Sequence, residues 1–132
     1  MEALEKVIEG LLLASSSGAA IIVEGRRDGE ALRELGAEGS IILASRRSAL
    51  DLAESAASRF NEIIVLTDWD REGDELAAKI EGHLRCTRAH ANLEIRRRLK
   101  RLLRKEIKDV ESLSRYMERM RNGWNEGKLR CP

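Results

Sequence analysis

Three short apolar runs constrain this chain more than any other feature: Ala20-Ile21-Ile22-Val23, Ile41-Ile42-Leu43 and Ile63-Ile64-Val65-Leu66. Each is continuous rather than alternating, which marks a strand buried on both faces. Helical stretches lie between them. Asp28 to Leu35 reads as a helix with Gly36 as its stop. Ser48 to Phe60 reads as a second helix and Asp74 to Leu84 as a third, with Asp74 as its cap. Ahead of the first strand, Leu4, Val7, Ile8, Leu11 and Leu12 recur at the spacing of one apolar helical face, which Ser15-Ser16-Ser17-Gly18 ends. Strand and helix thus alternate every ~20 residues, the pattern of right-handed parallel βαβ units. The fold class is α/β, a parallel sheet of about four strands flanked by helices.

Beyond residue 85 the pattern weakens. Cys86 to Ala91 is read as a short fourth strand, Leu93 to Lys105 as a basic helix and Val110 to Met120 as a last helix. Gly123, Gly127 and Pro132 make residues 122–132 read as a flexible tail. At 132 residues the chain predicts one domain, residues 1–121, with its core at 18–92 and a basic helical extension at 93–121. No apolar run approaches a membrane span and the N-terminus has no signal-peptide pattern, so a cytoplasmic protein is expected. Cys86 and Cys131, far apart and outside any Cys-x-x-Cys spacing, read as free thiols rather than a disulfide or zinc site.

The net charge of +1 conceals a division. Residues 1–84 hold 9 Lys/Arg against 17 Asp/Glu, a balance of −8, and residues 85–132 hold 15 against 6, a balance of +9. A basic half of this kind predicts a polyanionic partner.

The acids of the first half are placed with purpose. Two strands end in carboxylates: Val23-Glu24-Gly25-Arg26-Arg27-Asp28, and Leu66-Thr67-Asp68-Trp69-Asp70-Arg71-Glu72-Gly73-Asp74. In open α/β sheets the site lies beyond the carboxyl ends of the strands, at a topological switch point. If these strands are neighbours, Glu24, Asp68 and Asp70 share one edge. Clustered carboxylates repel, a cation relieves this, and hard oxygen ligands select Mg²⁺ or Mn²⁺. Gly25 and Gly73 clear side chains from beside the acids, which would let a phosphate approach the backbone.

The two motifs, Ile21-Ile22-Val23-Glu24-Gly25 and Ile63-Ile64-Val65-Leu66-Thr67-Asp68-Trp69-Asp70-Arg71-Glu72-Gly73, resemble those of the Toprim domain. That domain is shared by type IA topoisomerases, bacterial-type primases, recombination-mediator proteins and the nuclease that matures 5S ribosomal RNA. The resemblance covers about residues 18–92 and implies a Rossmann-like Toprim fold and Mg²⁺ (or Mn²⁺) chemistry on nucleic-acid phosphodiesters. It implies that Asp68 and Asp70 bind metal and that Glu24 helps hold metal and serves as general acid or base. It makes Asp74 a second-metal ligand or a support behind the ligands, and Arg71 a phosphate contact. It assigns Trp69 no role. The chain is similar to small stand-alone Toprim proteins. It has no room for the gate domain that carries a topoisomerase's nucleophilic tyrosine, and Tyr116 sits in an ordinary amphipathic stretch.

Other readings of the acids are weaker. Asp68 to Gly73 mimics the start of a calcium loop, but Lys79 stands where its last glutamate belongs and a strand precedes it. A haloacid-dehalogenase-type phosphatase needs a further acidic strand end, which the region after residue 85 does not supply. His83 and His90 have no ligand spacing with the acids. Arg26, Arg27, Arg46 and Arg47 follow the first two strands and would line a phosphate path on the same edge. Within the basic run Arg96 to Lys105, Arg97, Arg101 and Arg104 are candidate nucleic-acid contacts. Aromatics make up 3% of the chain, so base stacking is a minor term. Three functions are expected from this reading: a Mg²⁺-dependent phosphodiester enzyme, most simply a nuclease or nucleotidyl-transfer enzyme; a non-catalytic Mg²⁺-dependent module that binds RNA or DNA within a processing complex; or an α/β domain whose acids bind metal only for stability.

Overall fold

A computed structural model describes the backbone of residues 2–130 and the side chains of residues 2–123. Met1, Cys131 and Pro132 lie outside it, so the expectation for Cys131 does too; Cys86 is a free, exposed thiol. The elements run α1 (Glu2–Ser16), β1 (Ala20–Val23), α2 (Arg26–Leu35), β2 (Ile41–Leu43), α3 (Ala49–Arg59), β3 (Glu62–Val65), α4 (Arg71–Leu84), β4 (His90–Asn92), α5 (Glu94–Leu103) and α6 (Leu113–Arg130).

The four strands form one all-parallel sheet in the order β2-β1-β3-β4. The register pairs Ile22 with Ile42 and with Val65, and Ile64 with Asn92. The chain turns outward to β2 on one side of β1 and to β4 on the other side of β3. The switch point therefore lies between β1 and β3.

The continuous apolar runs are explained by two layers of helix. Ile21, Val23, Ile64 and Leu66 face a core built with α1, α2, α5 and α6. Ala20, Ile22, Ile63 and Val65 face a second core built with α3 and α4, where Leu52, Ala56, Ala77 and Ile80 pack. All of β1 and Ile63, Ile64 and Val65 of β3 are buried on both faces.

Local stops match the chemistry of their residues. Gly36 takes φ 110° and ends α2, and Ser48 Oγ accepts from the Asp51 amide at the start of α3. Gly39 has no room for a side chain, because a Cβ there would strike the backbone of Ser15.

Three expectations are revised. Asp74 does not cap α4; Asp70 does, because the helix begins at Arg71 and the Gly73 amide is the first free donor within reach of an acid. The fourth strand is His90–Asn92, since residues 84–87 close the end of α4 in a turn, with Thr87 Oγ1 donating to the Leu84 carbonyl. α6 starts at Leu113 and continues to Arg130 rather than ending at Met120. Extending a formed helix needs no new nucleus, so two isolated glycines at ~1 kcal/mol each do not stop it. The segment after β4 also supplies core residues: Leu99, Leu103, Val110, Leu113 and Met117 are buried in the first core.

The burial of α5 is testable. Leu99→Ala should cost about 2–5 kcal/mol in urea unfolding, the loss expected of a core leucine. A cost under ~0.5 kcal/mol, typical of surface sites, would show that α5 is peripheral.

A candidate metal centre at the carboxyl edge

The site begins where β1 and β3 run out of ladder. Leu66 donates its amide to the Ile22 carbonyl at 2.8 Å, the last backbone bond between the two strands in this direction. One step further the Glu24 side chain takes over: its Oε2 accepts from the Asp68 amide at 2.7 Å. Glu24 and the Asp68–Asp70 turn thus meet on one edge, at the switch point.

The turn is held from several sides. Asp68 Oδ1 accepts from the Val110 amide at 3.0 Å. The Asp70 carboxylate caps α4, its Oδ1 accepting from the Gly73 amide at 2.7 Å. Thr67, fully buried, donates its hydroxyl to the Gly73 carbonyl at 2.7 Å. Gly73 is required here by the protein's own backbone, since a Cβ would collide with the Asp68 carbonyl. The clearance expected at Gly73 for a phosphate is filled by Asp68 itself. At Gly25 a Cβ would meet only ordinary contact, and its amide donates to Asp28 Oδ2 at 3.0 Å.

Two residues to which sequence reasoning gives no role belong to this site. Trp69 is buried; its amide donates to the Lys108 carbonyl at 2.9 Å and its indole Nε1 to the Ile107 carbonyl at 2.7 Å. Arg96 is buried at 6% exposure and reaches the turn with its guanidinium. Nε donates to the Thr67 carbonyl at 3.1 Å and to Thr67 Oγ1 at 3.0 Å, and one terminal nitrogen donates to the Asp68 carbonyl and to Asp74 Oδ1, both at 2.6 Å. A signal for Arg96 existed: it falls at the spacing of Leu99 and Leu103, on the apolar stripe of α5.

Asp74 does not point its charge at open solvent. Its second oxygen accepts from Lys100 Nζ at 2.6 Å. Burial alone would raise its pKa, but Lys100 and Arg96 hold it below the usual carboxylate range. Both oxygens of Asp74 are engaged by cations, so serving as a second-metal ligand would require breaking an ion pair.

The electrostatics single out Asp68. Burial pushes its carboxyl up to about 7; the Val110 amide opposes this, and the charges of Asp28, Glu24 and Asp109 add to it. Burial also raises Asp28, in the first turn of α2; the Gly25 and Glu111 amides oppose this, and the charges of Glu24 and Glu111 add to it. Among the described residues no three of His, Cys, Asp or Glu converge tightly enough to hold a metal by themselves. Mg²⁺ asks for less, since it keeps waters and takes one or two carboxylates together with substrate oxygens. Glu24 Oε1, Asp68 Oδ2 and Asp70 Oδ2 have no hydrogen-bond partner among the described residues. Free carboxylate oxygens on one edge, one of them on an acid that burial first and neighbouring charges second have raised, suit such a cation.

The arginines divide by location. Arg26 and Arg27 open α2, Arg46 and Arg47 lie in the loop after β2, and Arg71 opens α4. Because every strand is parallel, all five stand on the same edge as the acids. All are exposed; Arg26 pairs with Glu30 at 3.5 Å, Arg27 with Glu111 at 3.6 Å and Arg71 with Glu75 at 3.6 Å. Arg46 adopts φ 66°, a left-handed backbone unusual for a long side chain. Arg97 and Arg101 on α5, and Arg104 at its C-terminal cap, are exposed where Arg96 is buried, with Arg97 3.9 Å from Glu94.

The raised Asp68 has a consequence for stability. Its folded pKa exceeds the unfolded value of 3.8, so between about pH 4 and about 7 the folded state binds more protons than the unfolded one. Without metal, this group makes stability fall as pH rises through that window. Asp68→Asn keeps the oxygen that accepts from Val110 and removes the charge. In EDTA at pH 8 the variant should melt higher than wild type, and the two should converge toward pH 4. A lower melting temperature for the variant at pH 8 would refute the assignment of strain to Asp68.

Comparison with known proteins agrees with this architecture. The Toprim domain family matches residues 19–111. A UPF0292 protein of Methanosarcina barkeri is 44% identical over 92% of this chain and 85% of its own length. A UPF0292 protein of Thermococcus gammatolerans is 50% identical over 71% of this chain and 70% of its own. A solved structure of a protein from Aquifex aeolicus superposes with a TM-score of 0.72 at 26% identity, covering 83% of this chain and 96% of that one. The family match extends past residue 92 to the Val110 region that touches Asp68. By fold, by motif and by its relatives, the chain belongs to the Toprim domain family and, within it, to the UPF0292 proteins.

Proposed function

We propose that this protein is a Mg²⁺-dependent Toprim enzyme acting on nucleic-acid phosphodiesters, most simply a nuclease. The observation that carries the reading is the bond from the Asp68 amide to Glu24 Oε2 across the switch point, which brings the Glu24 carboxylate to the Asp68–Asp70 turn, where its charge acts on Asp68. Membership of the Toprim family points to metal-dependent work on nucleic acid in general. The nuclease activity, the Mg²⁺ and the residue roles are our reading of this site.

In this reading Asp68 and Asp70, with help from Glu24, hold the metal through the oxygens that their backbone partners leave free. A bound Mg²⁺ would polarise a phosphoryl oxygen and stabilise charge on the leaving oxygen. Glu24 Oε1 transfers the proton as water adds to phosphorus and the P–O bond breaks. Arg26, Arg27, Arg46, Arg47 and Arg71 line the edge along which a phosphate backbone would pass. Arg97, Arg101 and Arg104 extend this surface along α5. Such contacts read charge and spacing rather than base identity. No helix among the described residues is long and apolar enough to cross a membrane.

Labelled single- and double-stranded RNA and DNA, incubated with Mg²⁺ or EDTA, test the proposal. Wild type should cleave at least one substrate only with Mg²⁺, and Glu24→Gln and Asp68→Asn should each lose at least about 100-fold in rate. Binding without cleavage would instead favour a non-catalytic module. Saturating Mg²⁺ at about 100 times its dissociation constant should stabilise wild type by about 2.7 kcal/mol, and no shift in melting would remove the metal from the mechanism. Replacing Arg97, Arg101 and Arg104 with Ala should reduce the salt dependence of binding, by about 0.7–0.9 in log–log slope for each phosphate no longer neutralised.

A further inference from the structure

We infer that Arg96 is a positioning residue that sets the Asp68–Asp70 turn, rather than one more cation of the basic run. The inference rests on the reading of Asp68 and Asp70 as metal ligands and adds to it the group that aims them.

Arg96 is costly where it stands. It occupies a position on the apolar stripe of α5, between the core and the turn, and its side chain is 7% exposed. A buried guanidinium loses its hydration, and an apolar residue of similar size would often serve stability as well or better. A charge retained there needs a task that an apolar residue cannot do.

That task is visible in what Arg96 holds. The carbonyls of Thr67 and Asp68 lie past the end of β3, where neither β1 nor β4 supplies a ladder donor; the β3–β4 register ends with Ile64 opposite Asn92. The planar fork of Arg96 donates to both of these successive carbonyls and to Thr67 Oγ1. A guanidinium presents its donors in fixed directions, and a lysine ammonium does not. Asp68 is then fixed at three atoms by three segments: its amide by Glu24, its carbonyl by Arg96 and its Oδ1 by the Val110 amide.

Arg96 is itself held in place. Asp74 Oδ1 accepts from the nitrogen that serves the Asp68 carbonyl, and Lys100 holds the other Asp74 oxygen. Asp74 is on the first turns of α4 and Lys100 one turn beyond Arg96 on α5. The chain Lys100, Asp74, Arg96, Asp68 therefore locks the two helices to the turn. Asp74 acts on the site through Arg96.

Hydrogen exchange followed by NMR, at fixed pH in EDTA, separates positioning from bulk stability. Arg96→Lys keeps a cation in place and loses the fork; Arg98→Lys, on the exposed face of the same helix, is the control. Arg96→Lys should speed exchange of the Asp68 and Val110 amides roughly tenfold while leaving Ile21 and Ile64, in the centre of the sheet, within about twofold. Titrated with Mn²⁺, it should show a dissociation constant raised about 10–100-fold, as when a group supporting metal ligands is removed, and Arg98→Lys should match wild type. Unchanged exchange at Asp68 and Val110, or equal acceleration at every amide, overturns the inference. If Arg96→Lys does not fold, Asp74→Asn answers the same question. It should speed exchange at Asp68 and Val110 by about threefold, and no change there is equally decisive against the inference. If wild type binds no Mn²⁺, the metal reading falls, and the exchange arm alone decides whether Arg96 sets the turn.

Discussion

The hydrogen bond from the Asp68 amide to the Glu24 carboxylate is the constraint around which the rest of the structure is arranged. It extends the β1–β3 ladder by one step with a side chain in place of a backbone carbonyl. For this to happen β1 and β3 must be adjacent and parallel, which needs crossovers on both sides and helices on both faces. The apolar continuity of Ile21-Ile22-Val23 and Ile63-Ile64-Val65 is the sequence-level cause of that burial. Like charges are then brought together at the edge, and the fold tolerates them because amides of Val110, Gly73 and Gly25 point at three of the acids.

Much of this was legible in the sequence. β1 and β2 have the bounds that their apolar runs indicate, and β3 differs by one residue at either end. The meeting of Glu24 with Asp68 follows from two strand ends and one topology rule. β4 lies outside what the sequence pattern locates, because His90-Ala91-Asn92 is a short edge strand with no apolar run, so only its pairing with β3 defines it. The sequence does not single out the cap of α4, because Asp70 and Asp74 both precede helix-compatible sequence. Which acid caps depends on where the backbone turns, and the contact of Gly73 with Asp68 fixes that in three dimensions.

The basic run shows a different limit. Composition averages over its residues, and the structure splits them into two populations. Arg96 and Lys100 turn toward Asp74 and the turn, while Arg97, Arg101 and Arg104 face outward. The +9 balance of the second half is thus partly internal, set against the acids of the first half. Folding the chain places this basic segment beside the acidic strand ends, so part of the charge separation along the sequence is neutralised in space.

The way each acid is anchored also bears on which cation could sit among them. Glu24, Asp68 and Asp70 each commit one oxygen to a backbone amide and leave the other without a partner among the described residues. A cation gripping any of them with both oxygens would break an amide bond, and at Asp70 would uncap α4 at a cost of about 1 kcal/mol. One-oxygen contacts suit a small octahedral ion that retains its waters, whereas a larger ion such as Ca²⁺ commonly draws on two-oxygen grips. On the proposed reading, discrimination between cations would be built into the backbone that caps a helix and ends a strand.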